Sequence, residues 1–280
     1  MGYSIFDETI VDMAWPEIER VAGEGAIVLL PTGVIEEHGP HLGLGVDIYC
    51  SYLTCKLTRR ELEARGIKTL ITPPYYWGIN NATGSFPGSF TVRKETMKAV
   101  LYDILASLQR WGLTYVFNIN WHGEHHHNIA ILEAIKEART DTGIRAYCVL
   151  QDLHARRFGL SGREDHVIIQ KSPPPPEPAP KHIEVHAGAV ETGIMLNYFP
   201  DQVDAEMARA LKSTDLTFQD LAAWRRGWRD GRKVTPLGYF GDPAGFDPEA
   251  GRQLIEGKAR GLADVIEGFM EGSYQPPETP

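Results

Sequence analysis

Two hundred and eighty residues favour one sizeable domain spanning 1–280, and a hydrophobic content of 42% with 23% charged residues excludes wholesale disorder. With 28 basic against 37 acidic residues the net charge is −9, which argues against a nucleic-acid footprint spread over the chain. Three cysteines (Cys50, Cys55 and Cys148) with no CxxC pair indicate neither a disulfide framework nor a cysteine zinc site, and fit a reducing compartment. Residues 1–20 carry Asp7, Glu8 and Asp12 where a signal peptide needs positive charge followed by an apolar stretch. No apolar run approaches the roughly 18 residues that span a bilayer, so a cytoplasmic protein with no membrane partner is expected.

In chain order, Ala26–Leu30 has the compact apolar pattern of a buried strand, and Ile48–Ala64 repeats apolar residues at helical spacing. Ile67–Ile71 reads as the next strand, stopped by Pro73-Pro74, and 78–89 as a polar loop. Lys94–Trp111 predicts a helix with Met97, Leu101, Ile104 and Leu108 on one face. Thr114–Ile119 predicts a strand, Ile129–Thr140 a helix and Ala146–Leu150 a strand. This alternation predicts an α/β fold with a mostly parallel sheet. Ser172–Lys181, with six prolines, reads as an extended surface connection, and Gly238–Gly251 as a loop before a last helix, Arg252–Met270.

Two clusters carry chemistry. Glu36, Glu37, His38 and His41 follow the first strand, with Asp47 nine residues after His38. Ligands of parallel sheets gather beyond the carboxyl ends of the strands. Glu36 and His38, two apart, point the same way in extended chain, and carboxylate with imidazole suits zinc, manganese or iron. Alone, such a pair is a common accident, and Asp47 could equally cap the following helix. The second cluster, Asn120–Asn128, holds four histidines in six residues after another strand. His122 and Glu124 repeat the two-apart spacing, and a shared Asp would bridge two ions. His186 and Glu191 lie five apart around a helix start; read alone, they are as well explained by capping and solvation.

The segments EEHGPHLGLGVD (36–47), FPGS (86–89), NWHGE (120–124), HAGAVET (186–192) and Gly241-Asp242-Pro243 occur in an order that resembles the creatininase (creatinine amidohydrolase) family. The resemblance implies a three-layer α/β fold with a dinuclear metal centre, assembled as trimers or hexamers. Residue by residue it implies Glu36, Asp47 and His122 on one ion and His38, Asp47 and Glu124 on the other. Water between the ions would be the nucleophile, with Glu124 orienting or deprotonating it. His186 would donate a proton to the leaving group, with Glu191 fixing its orientation.

The chain departs from the family pattern at Thr83, Gly123, His125, His182 and Ile183, and these changes put creatinine itself in doubt. The expected pocket lining, Asn80, Asn81, His125, His126, His127 and His182, is rich in donors and acceptors and poor in aromatic walls. That favours a small polar cyclic substrate such as an oxidised (diketo) inositol, opened at a C–C bond as some relatives do. A cyclic amide or formamide hydrolase is the alternative. A peptide-processing enzyme and a non-catalytic, metal-stabilised relative are further readings.

Overall fold

The computed structural model describes residues 4–172 and 182–277. Five short apolar segments form one sheet: β1 (Ile27–Thr32), β2 (Thr69–Ile71), β3 (Tyr115–Asn120), β4 (Arg145–Gln151) and β5 (Val167–Gln170). All four neighbouring pairs are parallel, in the order β2-β1-β3-β4-β5. Every residue of β1 is buried, as a parallel strand covered on both faces requires.

Among the described residues ten α-helices accompany the strands: α1 (Trp15–Gly23), α2 (Val46–Ala64), α3 (Lys94–Arg110), α4 (His125–Thr142), α5 (Asp152–Arg157), α6 (Ala189–Tyr198), α7 (Ala205–Ala210), α8 (Phe218–Trp224), α9 (Trp228–Val234) and α10 (Pro248–Met270). Strand side chains alternate between two cores. Val28, Leu30, Val116, Cys148 and Leu150 pack on Met97, Leu101 and Leu105 of α3 and Ile131 and Ile135 of α4. Ile27, Leu29, Phe117, Ile119 and Val149 face Cys55 and Leu62 of α2 and Leu262 and Ile266 of α10. The three-layer α/β arrangement expected from the sequence is the one observed.

The chain runs from β2 back past β1 to β3, and this reversal opens a crevice beyond the carboxyl ends of β1 and β3. Thr32 and Asn120 stand in register at those ends, so the two motif-bearing loops leave the sheet side by side.

Local chemistry moves several boundaries. The helix expected from Ile129 begins at His125, because the Glu124 side chain caps it by accepting from the His127 N–H at 2.9 Å. The last helix begins at Pro248, capped by Asp247, four residues before the expected start. β5 is only four residues long and carried no period that would have marked it. Of the proline-rich connection only Ser172 is described, its hydroxyl donating to Asp152; residues 173–181 lie outside the described residues. No helix among the described residues is long and apolar enough to cross a membrane.

Helix α6, which carries Glu191, rests on α10 through two glycines. A Cβ on Gly251 would stand 2.5 Å from the Gly193 carbonyl carbon and the Ile194 nitrogen. Gly251→Ala should therefore destabilise the protein by about 1–3 kcal/mol in urea denaturation. Gly257→Ala on the same helix meets nothing closer than 3.9 Å, and should stabilise it by roughly 0.5–1 kcal/mol.

Candidate metal centre and active site

The loop after β1 is extended and pinned on both sides. The Glu36 N–H donates to the Leu44 carbonyl, the Glu37 N–H to Ser89 Oγ and the Phe90 N–H to the Ile35 carbonyl. The FPGS segment thus serves as a clamp on the first motif. Asp47 lies in the first turn of α2, where the helix end favours a carboxylate. After β3, the side-chain amides of Asn120 and Asn128 both donate to the His122 carbonyl, at 2.7 and 2.9 Å.

These supports bring the expected residues together. His122 Nδ1 lies 3.0 Å from Glu36 Oε1 and 2.9 Å from Asp47 Oδ2. His38 Nε2 lies 3.7 Å from Asp47 Oδ1 and 4.0 Å from Glu191 Oε2, with no hydrogen-bond partner although fully buried. In both rings the remaining nitrogen meets a backbone carbonyl: His38 Nδ1 the Glu36 carbonyl at 3.1 Å, His122 Nε2 the Ile79 carbonyl at 3.0 Å. A carbonyl only accepts, so those nitrogens carry hydrogens and the inward nitrogens are the ones that would face an ion.

Among the described residues, three groups have donor atoms that all lie within 4.8 Å of one another: Glu36, Asp47 and His122; His38, Asp47 and Glu191; Glu36, His38 and His186. Asp47 is common to the first two. The donor set is imidazole and carboxylate, nearly all buried, which fits hard to borderline divalent ions.

His186 and Glu191 are joined by a strained turn. Ala187 sits at φ +51°, and its N–H donates to Glu191 Oε2 at 2.6 Å. The His186 ring is 4.3 Å from that of His38, its Nε2–H donates to the Glu37 carbonyl at 2.7 Å, and its Nδ1 is 3.9 Å from Glu36 Oε1.

Burial disfavours each of these charges, and the opposite charges beside them outweigh it. Against burial, His122 and His186 hold the Glu36 carboxyl below its ordinary range, and His122 and His38 hold Asp47 far below it. In return, and again against burial, Glu36 and Asp47 hold His122 well above its usual value. Glu36, Glu37 and Glu191 push His186 up to about 10.

Glu124 stands apart from every trio among the described residues. Its Oε2 caps α4, and its Oε1 accepts from Asn81 Nδ2 at 3.0 Å. Of the six residues expected to line the pocket, only His125 lines the cavity above the metal donors. Asn80 is fully buried and turned to Thr83, and Asn81 is spent on Glu124. His126 is exposed one position along α4, and His182 faces Asp215 at 3.6 Å. His127, which burial and then His122 hold well below its usual value, accepts from the Ile79 N–H at 3.2 Å as a structural imidazole. Thr83, one of the departures, donates its hydroxyl to Glu36 Oε2 and steadies that carboxylate.

The cavity has a volume of ≈ 660 Å³ and reaches Glu36, Asp47, His122, Glu124, His186 and Glu191. Its walls include Trp121, Phe218, Leu221 and Trp224, with Arg157, Arg225 and Lys258. The expectation of a pocket poor in aromatic walls is thus corrected. These residues come from α5, α8, α10 and the β3–α4 loop, and no local pattern announced them.

Comparison with known proteins agrees with this architecture. The family model described as creatinine amidohydrolase matches residues 11–266. A creatinine amidohydrolase of Pseudomonas putida is 26% identical over 273 residues, covering 95% of this chain and 97% of that protein. A mycofactocin precursor peptide peptidase of Mycolicibacterium smegmatis is 24% identical over 245 residues, covering 87% and 85%. The solved structure of a manganese form of creatininase superposes with a TM-score of 0.70 at 21% identity, over 94% of this chain and 98% of that one. A match running from α1 almost to the end of α10, on a buried cluster of imidazoles and carboxylates at the sheet's switch point, makes this chain a member of the creatininase family of metal-dependent hydrolases.

Proposed function

We propose that this protein hydrolyses the C–N bond of a small amide, using two divalent ions, zinc or manganese, held above the carboxyl ends of β1 and β3. The observation that carries this reading is the convergence of two inward imidazole nitrogens, His38 Nε2 and His122 Nδ1, on the single carboxylate of Asp47. Glu36, Asp47 and His122 would hold one ion, and His38, Asp47 and Glu191 the other. Glu191 thereby takes the place the family resemblance gave to Glu124. Such ions supply an acidified water and a Lewis acid for the substrate carbonyl.

The chain's own groups manage the protons. Glu124, held at both oxygens and lining the same cavity, would take a proton from the attacking water. His186, kept charged by the carboxylates around it, carries at Nδ1 the proton that the departing nitrogen needs. The Glu37 carbonyl holds the other ring nitrogen and sets the ring's direction. Trp121 and Trp224 give the cavity apolar walls against which the body of a substrate would pack.

Amide cleavage takes precedence over opening of a diketo-inositol because the polyol reading rested on a pocket lined by Asn80, Asn81, His125, His126, His127 and His182, of which only His125 lines it. The names of the similar proteins, an amidohydrolase and a peptide peptidase, point the same way.

The first test is NMR of substrate mixtures with metal-loaded protein. Hydrolysis of cyclic or formyl amides, with the diketo-inositol untouched, is the expected result; ring opening of the inositol alone would overturn the reading. His122→Ala should abolish turnover in a folded protein, and retained turnover would refute the metal mechanism. Glu191→Gln should lower metal content from two ions to one by atomic emission, whereas Glu124→Gln should keep both ions and lose turnover. With no ion bound, and against burial, Glu36 and Asp47 hold His122 well above its usual value, so an ion must displace a proton there. Zinc affinity of chelator-treated protein should rise between about pH 6 and 8, by up to roughly tenfold per unit for each proton displaced; a flat profile would contradict this.

A further inference from the structure

The cavity that reaches the metal donors is also lined by three cations that the hydrolytic scheme does not use: Arg157, Arg225 and Lys258. Each has a neighbour in sequence or on the same helix that behaves differently. Arg156 pairs with Asp152 at 3.4 Å, and Arg226 lies 3.6 Å from Asp230. On α10, Arg252 pairs with Glu249 and Glu256 at 2.6 and 2.8 Å. One residue away from their paired neighbours, Arg157 and Arg225 line the cavity, and Lys258 does so on α10. None of the three lies within 4.0 Å of a carboxylate among the described residues. Lys258 Nζ sits 4.0 Å over the Trp121 ring, which the Thr54 hydroxyl holds in place by accepting from its indole N–H at 2.8 Å.

The three charges converge. Desolvation and then Lys258, Arg157 and Arg225 together hold His154, which lines the same cavity, down to about 4, so that imidazole is neutral and adds no charge of its own. Glu184, another lining residue, is committed to the backbone N–H groups of Ala189 and Asp242, at 2.8 Å each. Glu124, the carboxylate that acts on Arg157 electrostatically, is held by Asn81 and the His127 N–H. In a chain of net charge −9, three cations left without ion pairs in one cavity make a site for a negative group.

We infer that Arg157, Arg225 and Lys258 form an anion subsite, and that the substrate is an amide bearing a free carboxylate or phosphate group. Two planar guanidinium forks match such an oxyanion in bidentate fashion, while Lys258 supplies a point charge beside the Trp121 face. The apolar walls then take the body of the substrate and the carboxylate-imidazole cluster its scissile bond. The substrate assignment rests on the amide reading above; the subsite does not.

Two measurements separate the claims. Isothermal titration of metal-loaded protein with inorganic phosphate and with benzoate should show each of Arg157→Gln and Arg225→Gln weakening binding roughly tenfold or more. Arg156→Gln and Arg226→Gln should leave it unchanged. Equal affinity across all four variants and the parent would mean binding at the metals alone, and would overturn the subsite. In the second measurement, N-acyl amino acids, their methyl esters and phosphate-bearing amides of similar size are compared as substrates. Acid or phosphate forms should exceed the esters in kcat/KM by roughly tenfold, with the preference lost in Arg157→Gln/Arg225→Gln, and the stronger of the two identifies the anion. Amide cleavage with no such preference would overturn the inference and leave the amide reading standing. Anion binding lost in the variants, with no amide cleaved, would do the reverse.

Discussion

Four carboxylates, Glu36, Glu37, Asp47 and Glu191, are drawn largely out of water into the space beyond β1 and β3, and everything nearby answers to that concentration of like charge. Uncompensated, each would cost several kcal/mol to bury. His38, His122 and His186 supply the compensation when no ion is bound, which is why the last is pushed up to about 10. Divalent ions do the same job with more charge on fewer centres. The donors come from four separate pieces of chain: the β1 loop, the start of α2, the β3 loop and α6. The fold must therefore bring four elements to one point before any of the charges is satisfied.

That precision is carried by backbone groups more than by other side chains. Carbonyls of Glu36, Ile79 and Glu37 hold the outward nitrogens of His38, His122 and His186. The Ala187 N–H, presented by a residue in the left-handed region, holds Glu191. The glycine-to-glycine contact lets α6, the helix that carries Glu191, lie close against α10. Such supports are stiff because secondary structure fixes them, and a metal centre built on them does not depend on long, mobile side chains.

Much of this was legible in the residues. The four leading strands show as apolar runs, and the pairing of Glu36, His38, Asp47 and His122 follows from their spacing after strands, together with the family signature. Glu124 does not point inward beside His122, because the two-apart rule holds only while the chain stays extended. At His125 the backbone turns into α4, so the side chain that would have faced inward with His122 is drawn to cap that helix. The same turn divides the histidine tract, leaving His125 and His126 exposed and His127 buried. The walls could not be read locally. Trp121, Phe218, Trp224, Arg157, Arg225 and Lys258 belong to the loop after β3 and to elements scattered over nearly half the chain, and only tertiary packing gathers them.

Arg157 and Lys258 sit on α5 and α10 and Arg225 directly follows α8, and none of these helices contributes a donor to the metal trios. The groups that hold ions and the groups that face the rest of the substrate can therefore change independently. Replacing a wall residue on a short surface helix leaves the charge balance of the buried cluster untouched, whereas replacing any one donor disturbs all the others. A scaffold divided in this way can acquire new substrates by small steps while its reaction stays the same.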